Sequence, residues 1–252
     1  LIIKKLVHKF FEIKNVNRLM NSFISKNLNY PSCTKYNYNN IIGFHGDQYL
    51  LNILNFFLLE CKNFIETGTN IGTTLKYVAD GYKHLNLYSC EPNKKLYLKA
   101  KEKLNKYLKC KIFNEVSQKF LSKILNIYDL KKDLNFFFLD AHGNDYEWSL
   151  KNEIKIITNK LKKAIILIDD FSVPYNSYFR YGYYNNEKCD KNAIKKELNL
   201  KRNYLFIYPK YRIKTSRYKS FVGYIIILMG LNLKNINIPF QLLENYIISY
   251  KL

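Results

Sequence analysis

Residues 63–75 read NFIETGTNIGTTL. The first five are a short β-rich run, and they close on Glu66 and Thr67 before Gly68 and Gly72 frame a turn that leads into a helix. A strand, a glycine turn and a helix in that order form the unit from which parallel α/β sheets are built. Glycines at such a turn let a ligand come close to the backbone, and the helix that follows offers free N–H groups at its start.

Outward from this unit the pattern repeats. NLYSCE (86–91), KIFNE (111–115), NFFFLD (135–140) and AIILIDD (164–170) are further strand candidates, several of them apolar throughout, as strands covered on both faces must be. Helical periods fill the gaps. PNKKLYLKAKEKLNKYLK opens with Pro92 and sets Leu96, Ala100, Leu104 and Tyr107 on one face, and SQKFLSKILNIY opens with Ser117 as a cap. YLFIYP (204–209) and FVGYIIILM (221–229), joined by a basic segment without helical period, predict a closing antiparallel pair. The fold expected is α/β: a Rossmann-like, doubly wound, mostly parallel seven-stranded sheet, antiparallel at its last strand, with helices on both faces. Residues 47–229 are the expected core domain, 1–46 an N-terminal helical extension or lid, and 230–252 a C-terminal extension.

Composition sets the class. The 252 residues are 48% hydrophobic and 24% charged, a globular balance with room for one large core. Cys33, Cys61, Cys90, Cys110 and Cys189 are odd in number and lack a CxxC pair, so a reducing, cytoplasmic setting is expected without disulfides or a zinc knuckle. No apolar run is long enough for a membrane span. The net charge of +21 admits a polyanionic partner. Only Arg18, Arg180, Arg202, Arg212 and Arg217 among the 41 basic residues are arginines, however, and nucleic-acid readers prefer the bidentate guanidinium. Nucleic acid is therefore possible but not favoured. The opening LIIKKLVHKFFEIKNVNRLM has the period of a basic amphipathic helix; it docks on the core or touches a membrane surface through residues 1–20. The first residue is not Met, which implies a truncated or processed start.

In an open parallel sheet ligands sit beyond the carboxyl ends of the strands, so the residues closing each strand are the candidates. Glu66, Thr67, Gly68, Thr69, Asn70 and Gly72 close the first. Glu91, nineteen residues past Gly72, closes the second, with Pro92 after it; an acid there can accept hydrogen bonds from ribose hydroxyls. The G-x-x-x-G spacing departs from G-x-G-x-x-G, which disfavours NAD. Asp140 closes the fourth strand, and Asp169 and Asp170 the fifth; three such acids on one edge would repel unless a hard cation relieved them. Each also has a structural alternative as a helix cap or the partner of a lysine.

These residues resemble the class I S-adenosylmethionine-dependent methyltransferases, whose first motif is similar to ETGTNIG and whose second strand ends in an acid like Glu91. The resemblance covers roughly residues 47–229. It implies S-adenosylmethionine as cofactor, with Glu115, Val116 and Ser117 along the adenine and Asp140 at the cofactor's edge. The acid spacing resembles the metal-dependent O-methyltransferases of the catechol and macrocin types, which implies Mg²⁺ or another divalent cation on Asp140, Asp169 and Asp170. The implied reaction is methylation of a hydroxyl on a small molecule or sugar, with the ion lowering the hydroxyl's pKa. The position of the catechol-type lysine base is Gly143 here, so His142 beside Asp140 is the catalytic base expected, or else a hydrogen-bonding support. Asp145, Tyr146 and Trp148 are candidate pocket liners, as is His45 in GFHGDQYLL. The Tyr-rich loop 171–190, with Tyr175, Tyr178, Phe179, Tyr181, Tyr183 and Tyr184, is placed to close on substrate. DAHG stands where base-amine methyltransferases carry [DN]-P-P-[YF], which lowers nucleic-acid methylation. A cofactor-binding, hydroxylase-like relative is the remaining alternative.

Overall fold

The computed structural model describes residues 43–141, 148–211, 222–233, 236, 238 and 240–250. The N-terminal amphipathic segment, His142, Asp145 and Tyr146 lie outside the described residues. The elements are α1 (Gln48–Glu60), β1 (Asn63–Thr67), α2 (Thr73–Gly81), β2 (Asn86–Cys90), α3 (Lys94–Leu104), β3 (Cys110–Phe113), α4 (Ser117–Ile127) and β4 (Asn135–Leu139). They continue with α5 (Leu150–Lys160), β5 (Ala164–Ile168), β6 (Tyr183–Tyr184), β7 (Glu187–Lys188), α6 (Lys191–Lys195), β8 (Tyr204–Pro209), β9 (Ile225–Met229), α7 (Phe240–Leu243) and β10 (Tyr246–Ser249).

The main sheet has the order β10-β8-β9-β5-β4-β1-β2-β3. The strands from β3 to β5 run parallel, whereas β9 is antiparallel to both β5 and β8. This is the doubly wound arrangement expected, with one correction: the sheet has eight strands and not seven, because β10 pairs antiparallel with β8. Its short run, YIIS, holds only one buried residue, so it carries little of the apolar signal that marks the central strands. A two-residue ribbon, β6 with β7, stands apart from the sheet.

Chain order and handedness fix where the helices lie. Crossovers between parallel strands are right-handed, so connections running β1 to β3 and β4 to β5 leave helices on opposite faces. In agreement, α2 packs on α3 and α4 on α5. Strands β1, β4, β5 and β9 are buried at every position, so their apolar runs need no polar alternation. Phe64 stacks on Phe136 across β1 and β4 with centroids 5.7 Å apart.

Register is pinned by a polar row at the strand starts. Asn63 donates to Asn135 at 2.8 Å and accepts from Asn86 at 3.0 Å, in line with the pairings Asn63↔Asn135 and Asn63↔Asn86. Slipping either strand by one residue would strand buried amides without partners. At the other end of α1, Asp47 caps the helix by accepting from the N–H groups of Tyr49 and Leu50 at 3.0 and 3.1 Å, and it also accepts from the Tyr211 hydroxyl. Tyr211, Tyr224 and Tyr246 continue that chain to the Tyr49 carbonyl, tying β9 and β10 to the first helix.

Candidate active site

Strands β1 and β4 are neighbours, and their connections leave in opposite directions, so the sheet opens a crevice at their carboxyl ends. Two glycines shape it. Gly68 has φ +85°, and a Cβ added there would lie 2.4 Å from the Asp140 carbonyl oxygen. Gly72 has φ +74° and precedes α2; a Cβ there would press on Leu104 at 2.9 Å and Ala100 at 3.3 Å, so only glycine lets α3 approach.

Side chains lock this turn to β2. The Gly68 and Thr69 N–H groups donate to the Cys90 carbonyl at 3.1 and 3.0 Å. The Thr69 hydroxyl meets that of Ser89, and Ser89 donates to Glu66 at 2.7 Å. Glu91 accepts from the Asn70 N–H at 2.8 Å with one carboxylate oxygen and from the Asn93 N–H at 2.9 Å with the other. The acid expected to meet ribose therefore also staples the glycine turn to the start of α3. Each oxygen keeps a second lone pair for a ligand. Asn114 donates to the carbonyls of Glu91 and Pro92, which closes the same corner.

The adenine-side candidates are arranged differently from expectation. Ser117 does not cap α4: it is the first helical residue, Val116 occupies the cap position, and no side chain caps the helix. Ser117 is buried and its hydroxyl has no hydrogen-bond partner, as is true of Thr67. Both stand near Glu153 of α5, a buried acid that the Ser149 hydroxyl bonds at 2.9 Å and whose second oxygen is unpartnered. Burial raises the pKa of Glu153. Glu115 accepts from Lys123 at 2.6 Å.

At the β4 and β5 ends, the Asp169 N–H donates to the Leu139 carbonyl, and that of Asp140 donates to Thr67, so three strand ends stand side by side. The three acids do converge on one edge, but they are not assembled as a metal site. No group of three His, Cys, Asp or Glu among the described residues could hold an ion. Two of them have side-chain partners. Asp169 accepts from His45 Nε2 at 2.7 Å, and Asp170, at φ +53°, accepts from the Tyr184 hydroxyl. Each of these bonds uses one oxygen of its carboxylate. Asp140 is left facing like charges: loss of hydration, then Asp169 and Asp170, push its pKa well above the usual carboxylate range. Burial, with Glu91 adding to it, takes Glu66 up to about 8.

His45 belongs to a left-handed turn in which Phe44, His45 and Gly46 have φ of +55°, +55° and +69°. The buried Phe44 ring, 5.0 Å from that of Phe138, anchors it. Sequence reading named His45 as a pocket residue but not its bond to Asp169, 124 positions away. Trp148 is buried beside Tyr184, with ring centroids 5.5 Å apart. In the loop, Phe179 is buried against Tyr211, Tyr175 is fully exposed, and Tyr181, ahead of the ribbon, and Tyr183, on it, are exposed. A separate groove of about 940 Å³, lined by Leu198, Leu200, Arg202, Leu231 and Tyr250 among others, lies at the amino ends of the parallel strands and holds none of these residues. No described helix is long and apolar enough to cross a membrane.

No protein-family model matches this sequence, and no curated protein matches it. Among solved structures the chain is similar to a candidate methyltransferase of Streptococcus mutans in complex with SAH, at 12% identity over 73% of this chain and 98% of that one, with a TM-score of 0.48. It is also similar to the O-methyltransferase of Bacillus cereus in complex with SAH, at 14% identity over 90% and 96% of the two chains, with a TM-score of 0.46. A third likeness is to an rRNA methylase of Streptococcus thermophilus, at 11% identity over 69% and 92%, with a TM-score of 0.43. At scores this low the likenesses carry no argument about activity, and the identification as a doubly wound α/β chain of Rossmann-like type stands on its own strand order.

Proposed function

We propose that this chain is an S-adenosylmethionine-dependent methyltransferase acting on a hydroxyl of a small molecule or sugar. The observation that carries the reading is a local reversal of charge. A chain of net charge +21 brings Glu66, Glu91, Asp140, Asp169 and Asp170 to the rim of one glycine turn. Two of these, Glu66 and Asp140, are held towards their neutral forms, first by burial and then by the neighbouring acids. A cationic ligand relieves that crowding, whereas the pyrophosphate of a dinucleotide would add to it. S-adenosylmethionine carries both a sulfonium and an ammonium group, and when bound it supplies an electrophilic methyl.

In this reading the Gly68–Gly72 backbone takes the amino-acid portion of the cofactor. Glu91 takes the ribose hydroxyls while keeping its bonds to Asn70 and Asn93. Glu115, Val116 and Ser117 lie along the adenine. Asp140 stands at the boundary between cofactor and acceptor. A divalent ion on Asp140, Asp169 and Asp170 would share these carboxylates with His45 and Tyr184, and would lower the pKa of the acceptor hydroxyl there.

The test is transfer of tritium from methyl-labelled S-adenosylmethionine into a fractionated cell extract. Label in the small-molecule or glycan fraction is expected. Label confined to RNA would replace the acceptor class, and no incorporation into any fraction would contradict methyl transfer.

A further inference from the structure

We propose that the face opposite the crevice, formed at the amino ends of the parallel strands, is a docking surface for a membrane that carries anionic phospholipids. The inference is independent of the reaction proposed above.

Topology gathers this face. A helix that returns between parallel strands ends at the amino edge of the sheet, so the stretches leading from α1 to β1, α2 to β2, α3 to β3, α4 to β4 and α5 to β5 all emerge there. The stretch from α6 to β8 joins them, because β8 and β5 are both antiparallel to β9 and so run the same way. These six stretches, residues 61–62, 82–85, 105–109, 128–134, 161–163 and 196–203, hold eleven lysines and arginines against three acids, Asp129, Asp133 and Glu197. The whole chain holds 41 against 20, so the excess here goes beyond the general composition. Of these cations only Lys132 has an ion-pair partner among the described residues, Asp129 at 2.6 Å, whereas Lys62, Lys131, Lys162 and Lys201 are exposed and unpaired.

Apolar side chains stand out among the cations. Leu108 and Leu200, in the stretches before β3 and β8, are 95% and 94% exposed; Ile127, which ends α4, is 61% exposed, and Tyr250, just past β10, is 77% exposed. β3 closes one end of the sheet and β8 lies next to the other, so the two leucines are set about six strand spacings, roughly 29 Å, apart. No small ligand spans them, but an extended surface does. The groove of about 940 Å³ beside Leu200 opens on the same face, where Leu198, Leu231 and Leu233 line it together with Lys195 and Arg202.

Charge alone suits anionic lipid and nucleic acid equally. The apolar residues decide between them. An aliphatic side chain gains little from a phosphate backbone, but it is buried when it enters the boundary of headgroups and acyl chains, where lysines meet the lipid phosphates. A nucleic-acid face adds free guanidinium groups and stacking rings. Arg202 is the one arginine in the six stretches, and its Nε already donates to the Leu161 carbonyl at 3.0 Å. Docking by this face leaves the crevice, at the opposite edge, open to water.

Cosedimentation of the full chain with vesicles of phosphatidylcholine alone, or mixed with phosphatidylserine, tests the proposal. Binding to the mixed vesicles only, weakened by salt, is expected. Lys131→Glu, Lys162→Glu and Lys201→Glu combined should weaken it by at least about tenfold. Lys95→Glu, Lys99→Glu and Lys119→Glu, the same change of charge on exposed positions of α3 and α4, should weaken it far less. Leu108→Ser with Leu200→Ser should weaken it by about tenfold at unchanged charge and unchanged thermal unfolding. Failure to bind either vesicle would overturn the proposal. So would vesicle binding that the leucine pair leaves unchanged or that both lysine sets weaken equally, since the contact would then lie elsewhere in the chain. Binding to RNA without binding to vesicles would put nucleic acid in the place of lipid.

Discussion

The two halves of the sheet edge are made of different material. On the β1–β2 side, the Gly68–Gly72 turn is held by backbone: N–H groups donate to Cys90, and Glu91 and Ser89 serve mainly to fix the loop. On the β4–β5 side the acids are met by side chains from outside the main sheet, His45 from 124 positions away onto Asp169 and Tyr184 from 14 positions away onto Asp170. The first half is a rigid cradle whose shape depends on absent side chains. The second is a set of hydrogen-bonded carboxylates whose state depends on which partners are present. Changes to the first should act on stability and cofactor affinity together, and changes to the second on chemistry and pH dependence.

The largest effect is expected at Gly68. Alanine there must adopt a left-handed conformation and push into the Asp140 backbone, so Gly68→Ala should lower unfolding stability by about 2–5 kcal/mol and abolish cofactor binding. Urea denaturation checks the first effect and calorimetry the second. Glu91→Ala comes next. Loss of charge-assisted bonds should weaken S-adenosylmethionine binding by roughly 1.5–3 kcal/mol, and because Asn70 and Asn93 lose an acceptor, the variant should also unfold at lower urea. Unchanged affinity would remove Glu91 from the site and leave it a loop staple.

Glu66 gives a subtler signal. Its pKa rises from 4.5 unfolded to about 8 folded, so between these values the native state binds the proton that the unfolded state has lost. Stability therefore falls as pH rises through that window, and Glu66→Gln should flatten the fall. A pH series of denaturation curves, run on both proteins, reads the difference directly. The smallest effect is expected at the pair of half-exposed His45 and buried Asp169. Folding raises the His45 pKa above 6.5, chiefly through its bond to Asp169, so the pair's stabilisation is full below 6.5 and is lost as pH rises through the folded value. Asp169→Asn should remove this dependence with little change elsewhere, since solvent screens a half-exposed ring.

The same contrast explains what was legible in the sequence. Strands β1 and β8 match their predicted runs residue for residue, because burial on both faces concentrates apolar residues at their centres. Gly68, Gly72 and Glu91 were legible because a tight turn restricts residue type at fixed spacing. β10 escaped notice because an edge strand with one buried residue needs little apolar pattern. Ser117 was misread as a cap since serine favours both the cap and the first turn, and only the backbone separates them. The acids were located on the right edge, yet their partners were not legible: no periodicity in AIILIDDF tells that Asp169 will be met by a histidine 124 positions earlier.

Calorimetric titration with S-adenosylmethionine, its demethylated product and NAD, in the presence and absence of EDTA, tests the central claim most directly. Binding of the first two with micromolar-type affinity, indifferent to EDTA and without response to NAD, is the predicted result. Comparable binding of NAD, or no binding of any of the three, would contradict the account.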